Sequence, residues 1–339
     1  MPCVMRLISL CLAAVFGLSI PSLRAVPVDI FFDTDMETDC DDAAALAILH
    51  ALADNQECEI LATVVSVRDW ASAATVAAIN AYYGRPALPL GMVKGDGVLE
   101  KSKFASQIAK EFPTHVKSAA DVPDATLVYR EVLEKRPDQS ITIVTVGYVT
   151  NLKNLLQLPA DGSHPSGLDL IKAKVKTWVC MGGNFIGDPP KDDLKLGNVN
   201  FQRDAASAHY AVHHWPTPLV FVGREIGSVP SGLQIGDRLA EAPPGSPVRA
   251  AYSHYFGGTI KKRHVADPTT VLYAVRGLHD YWDISKGTMD LSPDMTFTWQ
   301  NDPQARQTHL LKKQKNGVPN DREIEKVLEG LLLQPPRKP

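Results

Sequence analysis

The chain has 339 residues, of which 45% are hydrophobic and 22% charged, with 23 Gly and 25 Pro. That balance excludes a disordered, collagen-like or coiled-coil protein, and the length allows one large domain or two small ones. Formal net charge is -3 and no long basic run occurs. The phosphate-neutralising surface of a nucleic-acid binder is therefore not visible, and no nucleic-acid partner is expected.

Residues 1–25 read as a secretory signal peptide. Arg6 supplies the positive start, Leu7 to Ile20 is apolar but short for a membrane span, Pro21 breaks it, and Ala25 offers a small residue for cleavage. A buried or amphipathic first helix is the alternative. Leu10 before Cys11 argues against a lipoprotein signal. Cleavage would remove Arg6 and Arg24, taking the charge from -3 to -5, and would leave Cys40, Cys58 and Cys180. An odd count without CxxC spacing argues against a zinc site or a disulfide framework, and predicts small buried side chains. Residues 26–339 are then expected to be secreted or periplasmic. They contain no second long apolar run, so no membrane partner is expected after cleavage.

From Val26 onward, β-branched runs alternate with helical ones. Strands are predicted at Val28–Phe32, Glu59–Val65, Leu88–Val93, Ser140–Val146, Lys174–Met181 and Leu219–Val222. Helices are predicted at Asp41–Leu52, Ala71–Tyr83, Ala125–Lys135 and Asp204–His213. Alternation of this kind implies parallel pairing and right-handed crossovers. The fold class is α/β: a single domain with a mostly parallel open sheet, helices on both faces and a Rossmann-like core. Pro and Gly mark loops at Pro159–Gly167, Gly182–Gly197 and Leu239–Pro247, not a domain boundary, and no internal repeat is visible. Sites in such sheets lie beyond the carboxyl ends of the strands. That puts Asp33–Asp42, Ser66–Asp69, Val146–Tyr148 and Met181–Asn200 on one rim.

The most informative stretch is FFDTDMETDCDDAAALAIL, residues 31–49. Asp33, Asp35, Glu37, Asp39, Asp41 and Asp42 fall where a strand ends and a helix begins. Carboxylates this dense repel one another, and an oxygen-preferring cation such as Ca²⁺ or Mg²⁺ is their natural counter-charge. Helix capping by Asp41 and Asp42 accounts for two acids but not six. An EF-hand reading fails, because Thr38 holds the glycine position and Ala44 that of the bidentate Glu. A haloacid-dehalogenase-type DxDxT reading has Glu37 where Thr belongs.

The run DTDxxxDxDDAAAL resembles the signature of the nucleoside hydrolase family, usually DxDPGxDDA, with two extra residues before the final acidic pair. SITIVTVGYVTNL (140–152), WVCMGGNF (178–185), NFQRDAASAHY (200–210) and ADPTTVLYAV (266–275) are similar to later family segments in the same order. Together they span about 240 residues. The resemblance implies hydrolysis of the N-glycosidic bond of ribonucleosides or related N-ribosides, assisted by Ca²⁺. By motif position it implies Asp35, Asp42, Asp267 and the Val146 carbonyl as metal ligands, with Asp35 also the general base. It implies Asp41 and Asn200 as ribose ligands and Asp33 as a support that orients the ligands. The family often forms dimers or tetramers, so a homo-oligomer is also an expectation.

Four departures stand out. Glu37 replaces a Gly and would add charge at the site mouth. SVRD (66–69) replaces a segment that usually carries a ribose-facing Asn, leaving Asp69 as the nearest polar candidate. Asn198 stands where a Glu usually binds the 5-hydroxyl. Ala266 stands where purine-acting members often have a His; His264 lies near, either as a substitute or as a solvated loop residue after Lys261, Lys262 and Arg263. Asn184 could line the site or serve only as a turn residue. Trp178 and Trp282 are expected in the core. These departures keep a second function in play, a catalytically silent Ca²⁺-dependent riboside-binding protein.

Overall fold

The computed structural model describes residues 26–187, 197–228 and 231–337. The leader at 1–25 and most of the Gly182–Gly197 loop lie outside the described residues. Six strands follow one another through the first two-thirds of the chain: β1 (Val28–Thr34), β2 (Cys58–Val65), β3 (Leu90–Met92), β4 (Ile141–Thr145), β5 (Val175–Met181) and β6 (Leu219–Val222). A two-residue ladder joins β7 (Gln234–Ile235) to β8 (Arg263–His264). The chain then forms β9 (Trp282–Leu291), β10 (Phe297–Asn301) and β11 (Gln307–Lys312). The main sheet has nine strands in the order β10-β9-β11-β6-β5-β4-β1-β2-β3. All its pairings are parallel except those of β9 with β10 and β11.

Alternate residues of the inner strands feed two cores, one on each face of the sheet. Ile30, Phe32, Val144, Val179, Val220 and Val222 join one. Phe31, Ile143, Trp178, Cys180, Leu219 and Phe221 join the other. Trp178 and Trp282 are core residues, and Trp178 Nε1 donates to the Thr145 hydroxyl at 2.8 Å. Cys40, Cys58 and Cys180 are free and buried.

The helix Asp41–Asp54 is buried along its whole length from Asp41 to Leu52 rather than along one stripe. It packs on the sheet and is covered by the helices Ala266–Arg276 and Asp321–Leu332. Its alanines make that close approach possible. The third strand is shorter than predicted, Leu90–Met92. The helix read from Ala71 starts at Trp70, because Asp69 caps it. The antiparallel edge β9–β11 was not anticipated from sequence. Among the described residues, no helix is long and apolar enough to cross a membrane.

Candidate active site

The parallel core reads β3-β2-β1-β4-β5-β6, so its direction of growth reverses between β1 and β4. Ligands of open α/β sheets bind beyond the carboxyl ends of the strands at such a reversal. The acidic run leaves β1 at this point. β4 pairs Thr145 with Asp33, and the Val146 amide then donates to the Asp33 carbonyl at 2.9 Å. The Val146 carbonyl is thereby held beside Asp35.

Gly147 makes the approach possible. A Cβ on Gly147 would lie 2.4 Å from the Asp35 amide nitrogen and 2.8 Å from its Cβ. The turn after Asp35 is tight as well. Met36 is buried at φ 48°, a left-handed conformation that a side chain rarely adopts. Its amide donates to the Thr34 hydroxyl at 3.1 Å and to Asp42 at 3.2 Å, and the Thr34 hydroxyl itself donates to Asp42. The fold thus turns the acidic run back on itself, placing Asp42 against Asp35.

A cavity of about 260 Å³ opens here. Asp35, Asp41, Asp42, Val146, Asn198, Asn200 and Asp267 all line it. Asp41, Asp42 and Asp267 each bring an oxygen within 4.8 Å of the other two. The Asp35 and Asp42 carboxyls lie close enough to shift each other's pKa. Asn200 Nδ2 donates to the Val146 carbonyl at 3.0 Å. Asn198 caps the short helix Val199–Arg203 by accepting from the Phe201 amide at 3.0 Å.

These acids carry an unbalanced charge. Burial raises the Asp267 pKa well above the carboxylate range, and Asp41, Asp42, Asp35 and Asp39 raise it further. Burial and then Asp42 act the same way on Asp35. Burial and then Asp41 push Asp42 up to about 7. A buried, oxygen-only set of this kind fits a hard cation, which would offset the repulsion. The cluster is a potential metal site.

A second cluster joins Asp39, Asp41 and His264. Arg263 grips both oxygens of Asp39, and its guanidinium lies 5.4 Å from the centre of the Tyr255 ring. His264 Nε2 is 2.9 Å from Asp39, and Nδ1 is 3.2 Å from Asp41. Burial works against the imidazole's charge, yet Asp41 and Asp39 raise its pKa to about 10. The same contacts with His264 and Arg263 overcome the effect of burial on Asp39 and hold its carboxyl well below the usual range. This cluster therefore carries its own counter-charge. His264 is 16% exposed and lines the cavity, so it is not a solvated loop residue.

Three residues predicted for the site are placed elsewhere. Asp69 caps the helix Trp70–Tyr82, accepting from the Ala71 amide at 2.9 Å, and does not line the cavity. Asn184 is buried beyond the cavity lining. Asp33 accepts from the Tyr129 hydroxyl at 3.0 Å and from Asn151 Nδ2 at 3.1 Å. Its side chain falls on the Phe31 face of β1, while its backbone carbonyl accepts from the Val146 amide. Glu37 does not line the cavity. It is fully buried, accepts from the Glu100 amide at 3.1 Å, and burial pushes its pKa to about 8. Sequence reasoning named Asp39 in the acidic run but missed its pairing with Arg263, 224 residues away, which was read with Lys261 and Lys262 as part of a loop.

An acid-lined cavity at the strand reversal of a parallel sheet defines an enzyme-like site in an α/β protein. Residues 30–316 match the sequence profile of the inosine-uridine preferring nucleoside hydrolases, and the chain belongs to that family. It is a hydrolase acting on N-glycosyl bonds. Among curated proteins, none matches by sequence. The fold is similar to that of the inosine-uridine preferring nucleoside hydrolase from Bacillus anthracis, with TM-score 0.65 at 14% identity, covering 90% of this chain and 99% of that one. It is also similar to a plant nucleoside hydrolase, with TM-score 0.62 at 17% identity, covering 91% of this chain and 100% of that one. A third similar structure is the type III effector XopQ complexed with adenosine diphosphate ribose, with TM-score 0.63 at 16% identity, covering 91% of this chain and 93% of that one.

Proposed function

We propose that the protein hydrolyses ribonucleosides or related N-ribosides to free base and ribose in a Ca²⁺-dependent reaction. The observation that carries this reading is the convergence of Asp35, Asp42, Asp267 and the Val146 carbonyl on one cavity that Asp41 and Asn200 also line. These first four groups would hold the ion. When bound, it supplies positive charge that offsets the carboxylates and orients oxygen ligands.

Asp35 is the general base. It takes a proton from the attacking water on the face of the sugar opposite the departing base, as in inverting glycoside hydrolysis. Its carboxylate is buried at the cavity wall, where the fold holds it against the water to be activated. Asp41 accepts from the ribose hydroxyls, and Asn200 donates to them. Asn198 faces the cavity as a neutral group. A silent riboside binder is not favoured, since a buried base beside such a cavity serves no purpose in binding alone.

We further propose that residues 1–25 direct export and that Val26 begins the mature chain. Mass measurement of the secreted or periplasmic protein tests that directly. The enzymatic reading is tested by incubating the protein with a panel of nucleosides and Ca²⁺ and measuring free ribose. Release by the wild type, lost in Asp35→Asn, is the expected result. No release from any nucleoside would sink it.

A further inference from the structure

The cavity holds His264, the nearest imidazole to the ribose-facing acids, and a leaving base needs a proton. Its geometry opposes that role. Nε2 lies 2.9 Å from Asp39 and Nδ1 lies 3.2 Å from Asp41, the latter an ion-pair contact without hydrogen-bond geometry, so the ring is set between the two carboxylates. Asp39 is itself anchored by the Arg263 guanidinium through both of its oxygens. The same Asp41 oxygen, Oδ2, also accepts from the Asp267 amide at 3.4 Å. A continuous chain therefore runs from Arg263 through Asp39 and His264 to one edge of Asp41. Asp41 itself lines the cavity.

Charge divides along the same line. Arg263 holds both oxygens of Asp39, and His264 lies between Asp39 and Asp41. Among the described residues, Asp35, Asp42 and Asp267 form no such ion pair. The acidic run thus contains two functional groups of carboxylates. One is braced by protein cations, and the other is open to a metal. Asp39 and Asp41 are separated by a single residue in the lengthened segment after Asp35. The brace is built from that segment and from β8.

We propose that His264 is a positioning residue: braced by Asp39 and Arg263, it fixes the Asp41 carboxylate for the sugar hydroxyls and does not protonate the leaving base. This rests on the N-riboside reading above, with Asp41 on the sugar. The position that often carries the family's histidine is Ala266 here, and nothing in the brace replaces its chemistry.

The test compares wild type, His264→Gln, Asp39→Asn and the double variant on a nucleoside and on 4-nitrophenyl riboside, whose leaving group needs no acid. A positioning role predicts KM raised about tenfold in His264→Gln on both substrates, with kcat within about threefold. Asp39→Asn should shift KM in the same direction. The double variant should be no worse than the worse single variant, since both break one chain. A kcat loss of about 10²–10⁴-fold on the nucleoside, absent on the nitrophenyl riboside, would make His264 the leaving-group acid and overturn the proposal. Additive losses in the double variant would also overturn it. If His264→Gln does not fold, Asp39→Asn carries the same two-substrate comparison alone. A folded wild type that releases ribose from neither substrate, in Ca²⁺, overturns the parent reading and this one with it, an outcome distinct from every variant result.

Discussion

Gly147 and Asp35 approach so closely that one added carbon on Gly147 would lie 2.4 Å from the Asp35 amide. The turn after β4 is the wall against which Asp35, the proposed base, is set. Gly147→Ala must push the acidic loop and β4 apart. Displacement of a catalytic group by roughly 1 Å can cost about 10²-fold in rate. Overpacking of a tight interior typically costs about 1–3 kcal/mol. We expect both, measured as kcat and as a fall in the denaturation midpoint. Full activity in Gly147→Ala would show that Asp35 does not depend on this contact.

Asp35→Asn separates catalysis from folding. Loss of a general base should lower kcat by about 10²–10⁴-fold. Stability should rise in the metal-free protein, because the substitution removes a buried acid whose pKa burial and Asp42 both raise. Thermal melts in chelator check the sign. A large destabilisation would mean that the Asp35 carboxyl is a structural group.

The acids also set a pH dependence. Asp42 rises from 3.8 to about 7 and Asp33 from 3.8 to about 8, chiefly through burial. A carboxyl whose folded pKa is raised binds its proton more tightly when folded, so stability falls as pH rises from the unfolded value to the folded one. His50 is buried and pushed down to about 3, and His309 likewise to about 4, and both oppose this trend below pH 6.5. His264, raised to about 10, loses its contribution above 6.5 and adds to it. Between pH 6.5 and 8 the acids and His264 therefore act together. Metal-free protein should lose stability across that window, and Ca²⁺ should restore it most at pH 8. Melts at several pH values, with chelator or Ca²⁺, measure this; stability flat or rising with pH in chelator would contradict it.

Asp69 gives a contrasting expectation. As a helix cap its removal in Asp69→Ala should cost about 0.5–2 kcal/mol of stability. Turnover and KM should stay near wild type, because its carboxylate is committed to the Ala71 amide. A KM change without loss of stability would return Asp69 to the sugar.

Much of this was legible in sequence for a physical reason. The inner strands β1, β2, β4, β5 and β6 are buried on both faces, so they appear as unbroken apolar runs. β9–β11 are antiparallel, partly solvated and paired over long distances. The alternation in β9 and β10 carries a weaker signal. Asp35 and Asp42 were read from one motif of the family resemblance and Asn200 and Asp267 from two others, and all four line one cavity. Asp69 and Asn184 were placed by proximity along the chain, which does not reveal that an acid before a helix is consumed as its cap. Asp33 shows the two-residue period at work: one step along β1 from Thr34, its side chain falls on the opposite face. The Arg263–Asp39 pair was hidden because a basic run usually reads as solvated surface, and only the tertiary fold brings it 224 residues back.

Calcium titration with turnover followed in the same samples tests the central claim most directly. Metal-free protein is given a nucleoside, Ca²⁺ is added stepwise, and bound ion and free ribose are measured together. The account predicts one ion per chain, ribose release that rises in proportion to it, and loss of both in Asp42→Asn. Ribose release that is equal in excess chelator, or one tightly bound ion with no ribose released from any nucleoside, would contradict it.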